Sequence, residues 1–502
     1  MKKPFRYIAL SLLSLAVFQG CEETRDNRPN VLFISVDDLN DWIEPLGGHP
    51  QARTPNLQKL SDQSITFAHA YCASPGCNPS RGAILTGMNP HTSGLYSNYQ
   101  DWRKIPRMTQ SPTLNRYFLT NGYYSAGAGK IYHYEQVDSA GWSDYFPSKT
   151  DPMPTEDMPD ERPVSMPAFK YIYNMFDWAP MGITDEEMAD FESVSYISEQ
   201  LSRKHDKPFF LACGIYRPHL PWYVPQRYYE MFPLDSIQLP KVLENDTSDL
   251  GVFARKELIE RGGNYHRHIT RAGLSKNAVQ GYLASVAFAD AMVGRLINAL
   301  DNSLYADNTL VVLWSDHGWQ LGEKNHWRKF ALWENVNRSV LMFRLPGQSG
   351  LSGIVDDNVS LVDIYPTLID LCGLPARTDL DGQSLRPYLE DPFHRQDRAI
   401  LTSYDYGSYS VRYRKWHYIR YIDESKELYN LESDPEEWSN LASKSELADT
   451  LKRLDGFIPT RQAEFPVESL IKLMEHHILP IQSRAHYESR ERREWINRFD
   501  VP

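Results

Sequence analysis

The chain has 502 residues, enough to bury a large core and, by length alone, to form two to four domains. With 41% hydrophobic and 12% aromatic residues it is a globular sequence and not a disordered one. Its net charge of -12 excludes nucleic acid as a main partner and offers no global attraction for an anion, so an anionic substrate needs a local cluster of Arg, Lys and His.

Residues 1–20 read as an export leader. Lys2, Lys3 and Arg6 give a basic start, and Tyr7 to Phe18 is mostly apolar but too short for a membrane span. Gly20-Cys21 resembles a bacterial lipoprotein processing site, although Phe18 and Gln19 stand where aliphatic and small residues are usual. Lipidation of Cys21 and ordinary cleavage are the two readings. Both predict an exported protein, periplasmic or an outer-membrane or cell-surface lipoprotein, that touches a membrane only through an N-terminal lipid. Residues 21–28 are then a polar linker.

The fold is expected to start at Pro29. Asn30 to Val36 is a near-continuous apolar run, as in a strand covered on both faces, and it ends in Asp37-Asp38. Open α/β sheets place ligands at such strand ends, so a shared hard cation or an acidic capping turn would explain the pair. Leu57, Leu60, Ile65 and Phe67 predict a helix over Thr54 to Ala70. Cys77-Asn78-Pro79-Ser80-Arg81-Gly82 follows. Pro79 disfavours helical geometry at Asn78, and Ser80 reads as the cap of a helix that begins around Gly82. Cys77 then sits at a loop-to-helix junction with Arg81 nearby, which suits a nucleophile for an anionic ester; the plainer reading is a buried thiol. In the aromatic loop Gly94 to Arg103, Trp102 and Arg103 either wall a substrate or pack the surface.

Pro112 to Asn121 predicts a helix closed by Gly122, and Tyr123 to Ala126 a short strand. Gly127 to His133 follows, where Lys130 and His133 either reach one anion together or are ordinary surface groups. Tyr134 to Met181 reads as a long loop, Thr184 to Lys204 as a helix, and Pro208 to Gly214 as a second buried strand. Just past it, His219 between two prolines is placed for acid catalysis or is a plain loop histidine. Lys256 to Asn277 is partly helical, Val279 to Leu300 is an amphipathic helix, and Thr309 to Trp314 is a third buried strand leading into Ser315-Asp316-His317-Gly318-Trp319. The segment Leu321 to Lys329, with His326, is too polar and aromatic for a core. Asp363 to Leu374 reads as helix and turn. Beyond Phe393, Arg398 to Tyr404, Tyr409 to Arg414, Trp416 to Tyr421 and Lys426 to Asn430 predict a small antiparallel sheet. Helical spacing then runs to Leu454, and Ser483 to Arg498 is a charged peripheral helix. Cys21, Cys72, Cys77, Cys213 and Cys372 are too few for a disulfide framework, with one pair among Cys72, Cys213 and Cys372 left open.

In chain order, Asp37-Asp38, the Cys77 block, Gly94-Leu95-Tyr96 with Trp102-Arg103, Gly129-Lys130 with His133, Pro218-His219, Ser315 to Trp319 and Lys329 resemble the type I sulfatases of the alkaline phosphatase-like superfamily, most of all the iduronate-2-sulfatase branch. The resemblance runs from Pro29 to about Pro392 and more weakly beyond. It implies an α/β fold: a large mixed, mostly parallel sheet sandwiched by helices, with a smaller C-terminal α+β subdomain. The expected parts are a catalytic domain at 29–392, a subdomain at 393–485 and a tail at 486–502. The resemblance also implies that a formylglycine-generating enzyme oxidises Cys77, and that the aldehyde hydrate is the nucleophile. Asp37, Asp38, Asp316, His317 and the modified Cys77 would bind one divalent cation, usually Ca2+; His317 is a soft ligand for calcium, so another metal stays open.

By the same resemblance, Arg81, Lys130 and Lys329 would neutralise the sulfate oxygens and the formylglycine hydroxyl, with Arg81 favouring ionisation of that hydroxyl. His219, aided by Lys329, would protonate the leaving oxygen, and His133 would take the proton that lets sulfate depart. The implied partner is a sulfated oligo- or polysaccharide, such as one with a 2-O-sulfated uronate, or alternatively an algal polysaccharide such as ulvan or carrageenan. Trp102, Arg103, Trp319 and His326 are candidates for the sugar wall. The rival readings are a phosphatase or phosphonate hydrolase, and a glycan-binding lipoprotein without catalysis.

Overall fold

The structure, a computed structural model, describes residues 26–154, 176–262, 264–347 and 351–466. The apolar runs form the middle of one sheet. Asn30–Val36 pairs in parallel with Phe209–Ile215 on one side and with Thr309–Ser315 on the other. Tyr124–Gly129 adds to Phe209–Ile215, again in parallel. The three longest of these strands are buried at every position, which is why they read as unbroken apolar runs. Their side chains alternate between two layers. Leu32, Ile34 and Val36 join a core with the helices Ala189–Ser202 and Ser275–Asp301, while Val31 and Phe33 join a second core with Ile84, Phe118 and Leu368. The sheet is thus sandwiched by helices, as expected. The helix Ser275–Asp301 is long and apolar enough to cross a membrane, but its apolar face is part of the first core.

Around this centre the sheet grows to nine strands among the described residues. Leu341–Arg344 runs antiparallel to Thr309–Ser315 and also pairs with Ile65–Tyr71. Arg338–Ser339 pairs antiparallel with Ile65–Tyr71, and Gly353–Ser360 pairs with it in parallel. Asp144–Phe146 closes the opposite edge beside Tyr124–Gly129. The helix expected over Thr54 to Ala70 is corrected to a helix at Pro55–Ser61 and a strand at Ile65–Tyr71. Leu57 and Leu60 have helical spacing, but Ile65 and Phe67 are two apart, the strand period. The long loop expected from Tyr134 to Met181 holds two short strands, Asp144–Phe146 and Trp178–Met181; the latter pairs with Trp222–Pro225.

The small C-terminal sheet is present as four antiparallel strands, Ile400–Tyr404, Ser408–Tyr413, Trp416–Arg420 and Lys426–Asn430. The helix that follows is confined to Ala448–Asp455. The leader, Cys21 and the expected helix over Ser483 to Arg498 lie outside the described residues, as does the tail 486–502. Arg28, placed in the linker by sequence, is docked on the fold: it donates to the Asn121 carbonyl at 2.8 Å and lies over the Tyr123 ring. Cys72, Cys77, Cys213 and Cys372 are all buried free thiols, so the disulfide left open by the sequence is not formed.

Candidate active site

Because the four central strands are parallel, their carboxyl ends share one edge of the sheet. Asp37-Asp38, Lys130, His219 and Asp316-His317 are all delivered there. Asp38 turns the chain off its strand in the left-handed region (φ 58°), which an Asp tolerates better than most residues. Gly129, just before Lys130, is also left-handed (φ 69°), and a side chain there would meet the Gly214 carbonyl at 2.1 Å. Only glycine lets the strand bend that closely past its neighbour.

The helix that carries the nucleophile candidate starts earlier than the sequence indicated. It runs Cys77–Thr86, capped by Gly76, and closes on Gly87 at φ 71°. Asn78 is therefore helical despite Pro79. The proline falls in the first turn, where its missing N–H would have no partner anyway, and Asn78 is held by side-chain bonds to the Ser97 and Gln100 carbonyls. Ser80 is not the cap; its hydroxyl donates to the Asp316 carbonyl at 2.6 Å and ties the helix to the neighbouring strand end. Cys77 thus lies in the helix's first turn, where free N–H groups favour negative charge.

The charges interlock. Arg81 Nε donates to Asp316 Oδ2 at 2.9 Å, and a terminal nitrogen donates to Asp37 Oδ1 at 2.8 Å. Its other terminal nitrogen is directed to the carbonyls of Lys130 and Ile131. Arg81 is only 1% exposed and is committed to protein acceptors. It holds the Asp37 and Asp316 carboxylates in place. Lys130 pairs with Asp37 Oδ2 and lies between the rings of Tyr134 and Tyr216. Lys329 Nζ donates to Asp38 Oδ1 at 2.6 Å and to Cys77 Sγ at 2.8 Å. His317 Nε2 lies 3.5 Å from Cys77 Sγ and 3.4 Å from Asp38 Oδ1, while its Nδ1–H donates to the Gly318 carbonyl and leaves Nε2 with a lone pair. His219 is fixed likewise: Nδ1–H donates to the Leu220 carbonyl at 2.6 Å, and Nε2 lies 3.8 Å from Asp38 Oδ2.

Burial and charge set the protonation states. Burial would raise Asp37, but Lys130 and Arg81 outweigh it and hold the carboxyl well below its ordinary value. Asp38 is pushed up, chiefly by burial, and Cys77 is pushed up for the same reason. Burial would lower Lys130, yet Asp37 raises it to about 12, so it stays an ammonium. Burial, then Lys130 and Lys329, hold His133 and His219 well below the usual imidazole range, so both are neutral bases.

The donors fit a hard dication. Asp37, Asp38, Cys77 and His219 form one cluster, and Asp38, Cys77, Asp316 and His317 another; within each, the potential ligand atoms lie within 4.8 Å of one another. Asp38 Oδ2 is buried with no hydrogen-bond partner, the state expected of a ligand atom. Three carboxylates against Arg81, Lys130 and Lys329 sum to zero, so a dication would leave the site positive, as an anionic ester needs.

Lys329 reaches this edge from outside the sheet. Gln320–Leu321 and Trp327–Arg328 pair as a short hairpin. The expectation that this segment is too polar for a core is corrected: Lys324, His326, Trp327 and Lys329 are all buried, each with a partner. The proposed sugar wall changes accordingly. Trp102 is 6% exposed and donates to the Gln136 carbonyl; His326 is 1% exposed and bonded to Gln320. Trp319 is 2% exposed, packed on Trp222, with Lys329 over its ring. These three are packing groups without an open face, whereas Arg103 is partly exposed and held by Asp101 at 2.8 Å. Sequence reasoning missed Tyr134 and Tyr216, which flank Lys130, and Tyr282, whose hydroxyl donates to the Asp38 carbonyl at 2.9 Å. Tyr216 and Tyr282 are recruited across the fold and Tyr134 from four residues beyond Lys130, and no spacing rule marks any of them.

The chain is similar to known proteins along most of its length. A family model described as Sulfatase matches residues 29–374, and one described as N-sulphoglucosamine sulphohydrolase, C-terminal, matches residues 322–463. The chain is 36% identical over 453 residues to a sulfatase of Formosa agariphila, covering 88% of this chain and 89% of that one. It is 28% identical to human iduronate 2-sulfatase over 414 residues, 73% of this chain and 74% of the relative. Among solved structures, the phosphonate monoester hydrolase of Agrobacterium radiobacter superposes with a TM-score of 0.68 at 21% identity, covering 90% of this chain and 96% of that one.

Proposed function

From the premise that the chain belongs to the sulfatase family and is a sulfuric ester hydrolase, we propose that it removes sulfate from a sulfated glycan, with residue 77 acting as formylglycine. The observation that carries this reading is the meeting of Cys77 Sγ, Asp38, His317 and Lys329 within hydrogen-bonding distance or little more, from four distant parts of the chain. Asp37, Asp38, Asp316 and His317 would hold a divalent cation, with Ca2+ favoured by the three carboxylates. When bound, the cation supplies positive charge that favours an ionised hydroxyl at position 77 and attracts sulfate oxygens.

The chain's own residues supply the rest. Lys329 and Lys130 offer fixed ammonium charge where negative charge grows. Burial, then Lys130 and Lys329, keep His219 neutral; an anionic ester beside it offsets that cost, so its Nε2 takes a proton from solvent and passes it to the departing sugar oxygen. His133, held neutral, takes a proton from residue 77 when sulfate is expelled. Arg81 orients Asp37 and Asp316. Arg103, exposed and paired with Asp101, is the remaining candidate to meet a uronate carboxylate.

A 2-O-sulfated uronate is the favoured target, supported by the similarity to an iduronate 2-sulfatase; an algal polysaccharide is the alternative glycan. The deciding assay is sulfate release from defined sulfated oligosaccharides, run beside matched phosphate and phosphonate esters. Preferred release from the 2-O-sulfated uronate is expected, and faster phosphonate hydrolysis would overturn the reading. Mass spectrometry of the peptide bearing residue 77 checks its oxidation. Export with a lipid on Cys21 is proposed from the leader alone; loss of lipid labelling in Cys21→Ala is expected.

A further inference from the structure

The segment that carries Lys329 is fastened at its far end by a buried ion pair outside the chemistry described so far. Lys324 and Asp246 are each 2% exposed. Lys324 Nζ donates to Asp246 Oδ1 at 2.8 Å and to the Glu437 carbonyl, and faces the Tyr429 ring at 4.8 Å. The Glu437 carboxylate in turn accepts the Glu334 N–H at 2.9 Å and pairs with His417 Nδ1. His417 Nε2 meets Ser410 Oγ at 2.6 Å, and Asn337 Nδ2 donates to the same hydroxyl at 3.2 Å. The chain on both sides of Lys329 is therefore tied to the C-terminal sheet and the turn after it.

Between those ties the backbone is held in an unfavourable shape. Lys324, Asn325, Arg328 and Phe330 all have left-handed φ, at 55°, 52°, 98° and 69°. Non-glycine residues keep such angles only where their surroundings enforce them. A buried ammonium is tolerated only with fixed partners, and Lys324 has them. At the near end, the Phe330 N–H donates to the Pro75 carbonyl at 3.1 Å, two residues before Cys77, so the aim of Lys329 depends on this backbone.

We propose that Lys324, gripped by Asp246 and Glu437, is a positioning residue that holds 324–330 in the one conformation that aims Lys329 at residue 77. The role assigned to Lys329 rests on the sulfatase reading above. The test compares wild type, Lys324→Met with Asp246→Asn, Lys329→Met, and the triple variant, all as the full chain with residue 77 oxidised. Removing both members of the pair avoids leaving Asp246 as a lone buried charge, and unfolding curves check that the fold is retained. The paired variant is expected to lose about 10- to 100-fold in kcat, with KM changed by less than about threefold. Amide hydrogen exchange should quicken within 322–331 and not at the sheet edge. The triple variant should be no slower than Lys329→Met, because Lys324 acts through Lys329. Wild-type kcat in the paired variant, even with lowered thermal stability, overturns the proposal, as do multiplicative losses in the triple. If the wild type releases no sulfate from any ester, the proposed function fails instead; unchanged exchange in 322–331 would then sink the positioning role on its own.

Discussion

Asp37, Asp38, Asp316 and His317 stand at the ends of neighbouring parallel strands, whereas Lys329 reaches the same sulfur on a hairpin that belongs to no part of the large sheet. The first group is placed by regular ladders and by packing such as Phe33 against Phe210 and Trp314, with ring centres 5.4 and 5.3 Å apart. The second is placed by tertiary ties that offset a backbone cost of about 1–3 kcal/mol at each left-handed residue. The groups proposed to share a cation sit on the stiffer support. The Lys329 ammonium falls to a segment whose geometry depends on distant contacts, and a change far from residue 77 can therefore reach it through that segment.

The contrast can be broken most severely at residue 77, the proposed nucleophile, which both regions surround. Cys77→Ser cannot become the aldehyde by the same oxidation, and kcat should fall by about 10,000-fold or more. Wild-type turnover in that variant would remove the reason for either region to converge there. On the sheet edge, Asp38→Asn should cost about 1000-fold and weaken binding of a divalent cation, read by calorimetry with Ca2+ alone. On the hairpin, Lys329→Met should cost about 100- to 1000-fold in kcat with cation binding retained. Equal loss of cation binding in both variants would erase the distinction drawn here. The smallest effect is a pH dependence confined to the hairpin. Burial pushes Glu323 up to about 7, against the Leu321 N–H that donates to it at 2.6 Å. Because the folded value lies above the unfolded one, this group's contribution is full below about pH 4.5 and is lost as pH rises through 7. The hairpin should loosen by at most about 2.5 kcal/mol between pH 5 and 8, seen as faster intrinsic-rate-corrected hydrogen exchange there, and Glu323→Gln should abolish the trend.

How far the sequence could be read follows the same division. Strand ends were legible because full burial on both faces writes an unbroken apolar run, and an acid at its end stands out. Ile65–Tyr71 was misread because it follows a true helix after only three residues, so two periods blurred into one window. Leu341–Arg344 is four residues long, and Gly353–Ser360 is interrupted by Asp356 and Asp357 at a register shift, so neither carries a strand pattern. In the site, resemblance located Cys77, Lys130 and Lys329, but it did not show that Arg81 faces inward. That fact depends on acceptors supplied by Asp37, Lys130 and Asp316 across the sheet. Lys324 was equally silent, since its partners are Asp246 and Glu437, far away along the chain.

Residue 77 is 1% exposed, walled by a helix on one side and by Lys329 on the other. A second protein as large as an oxidase cannot reach a sulfur at that depth once the walls have closed. Any oxidation of this thiol must therefore happen while the polypeptide is still being made or is not yet collapsed. If the proposed oxidation of Cys77 is what confers activity, purified, unmodified chain that has been refolded should stay inactive after later exposure to an oxidising enzyme.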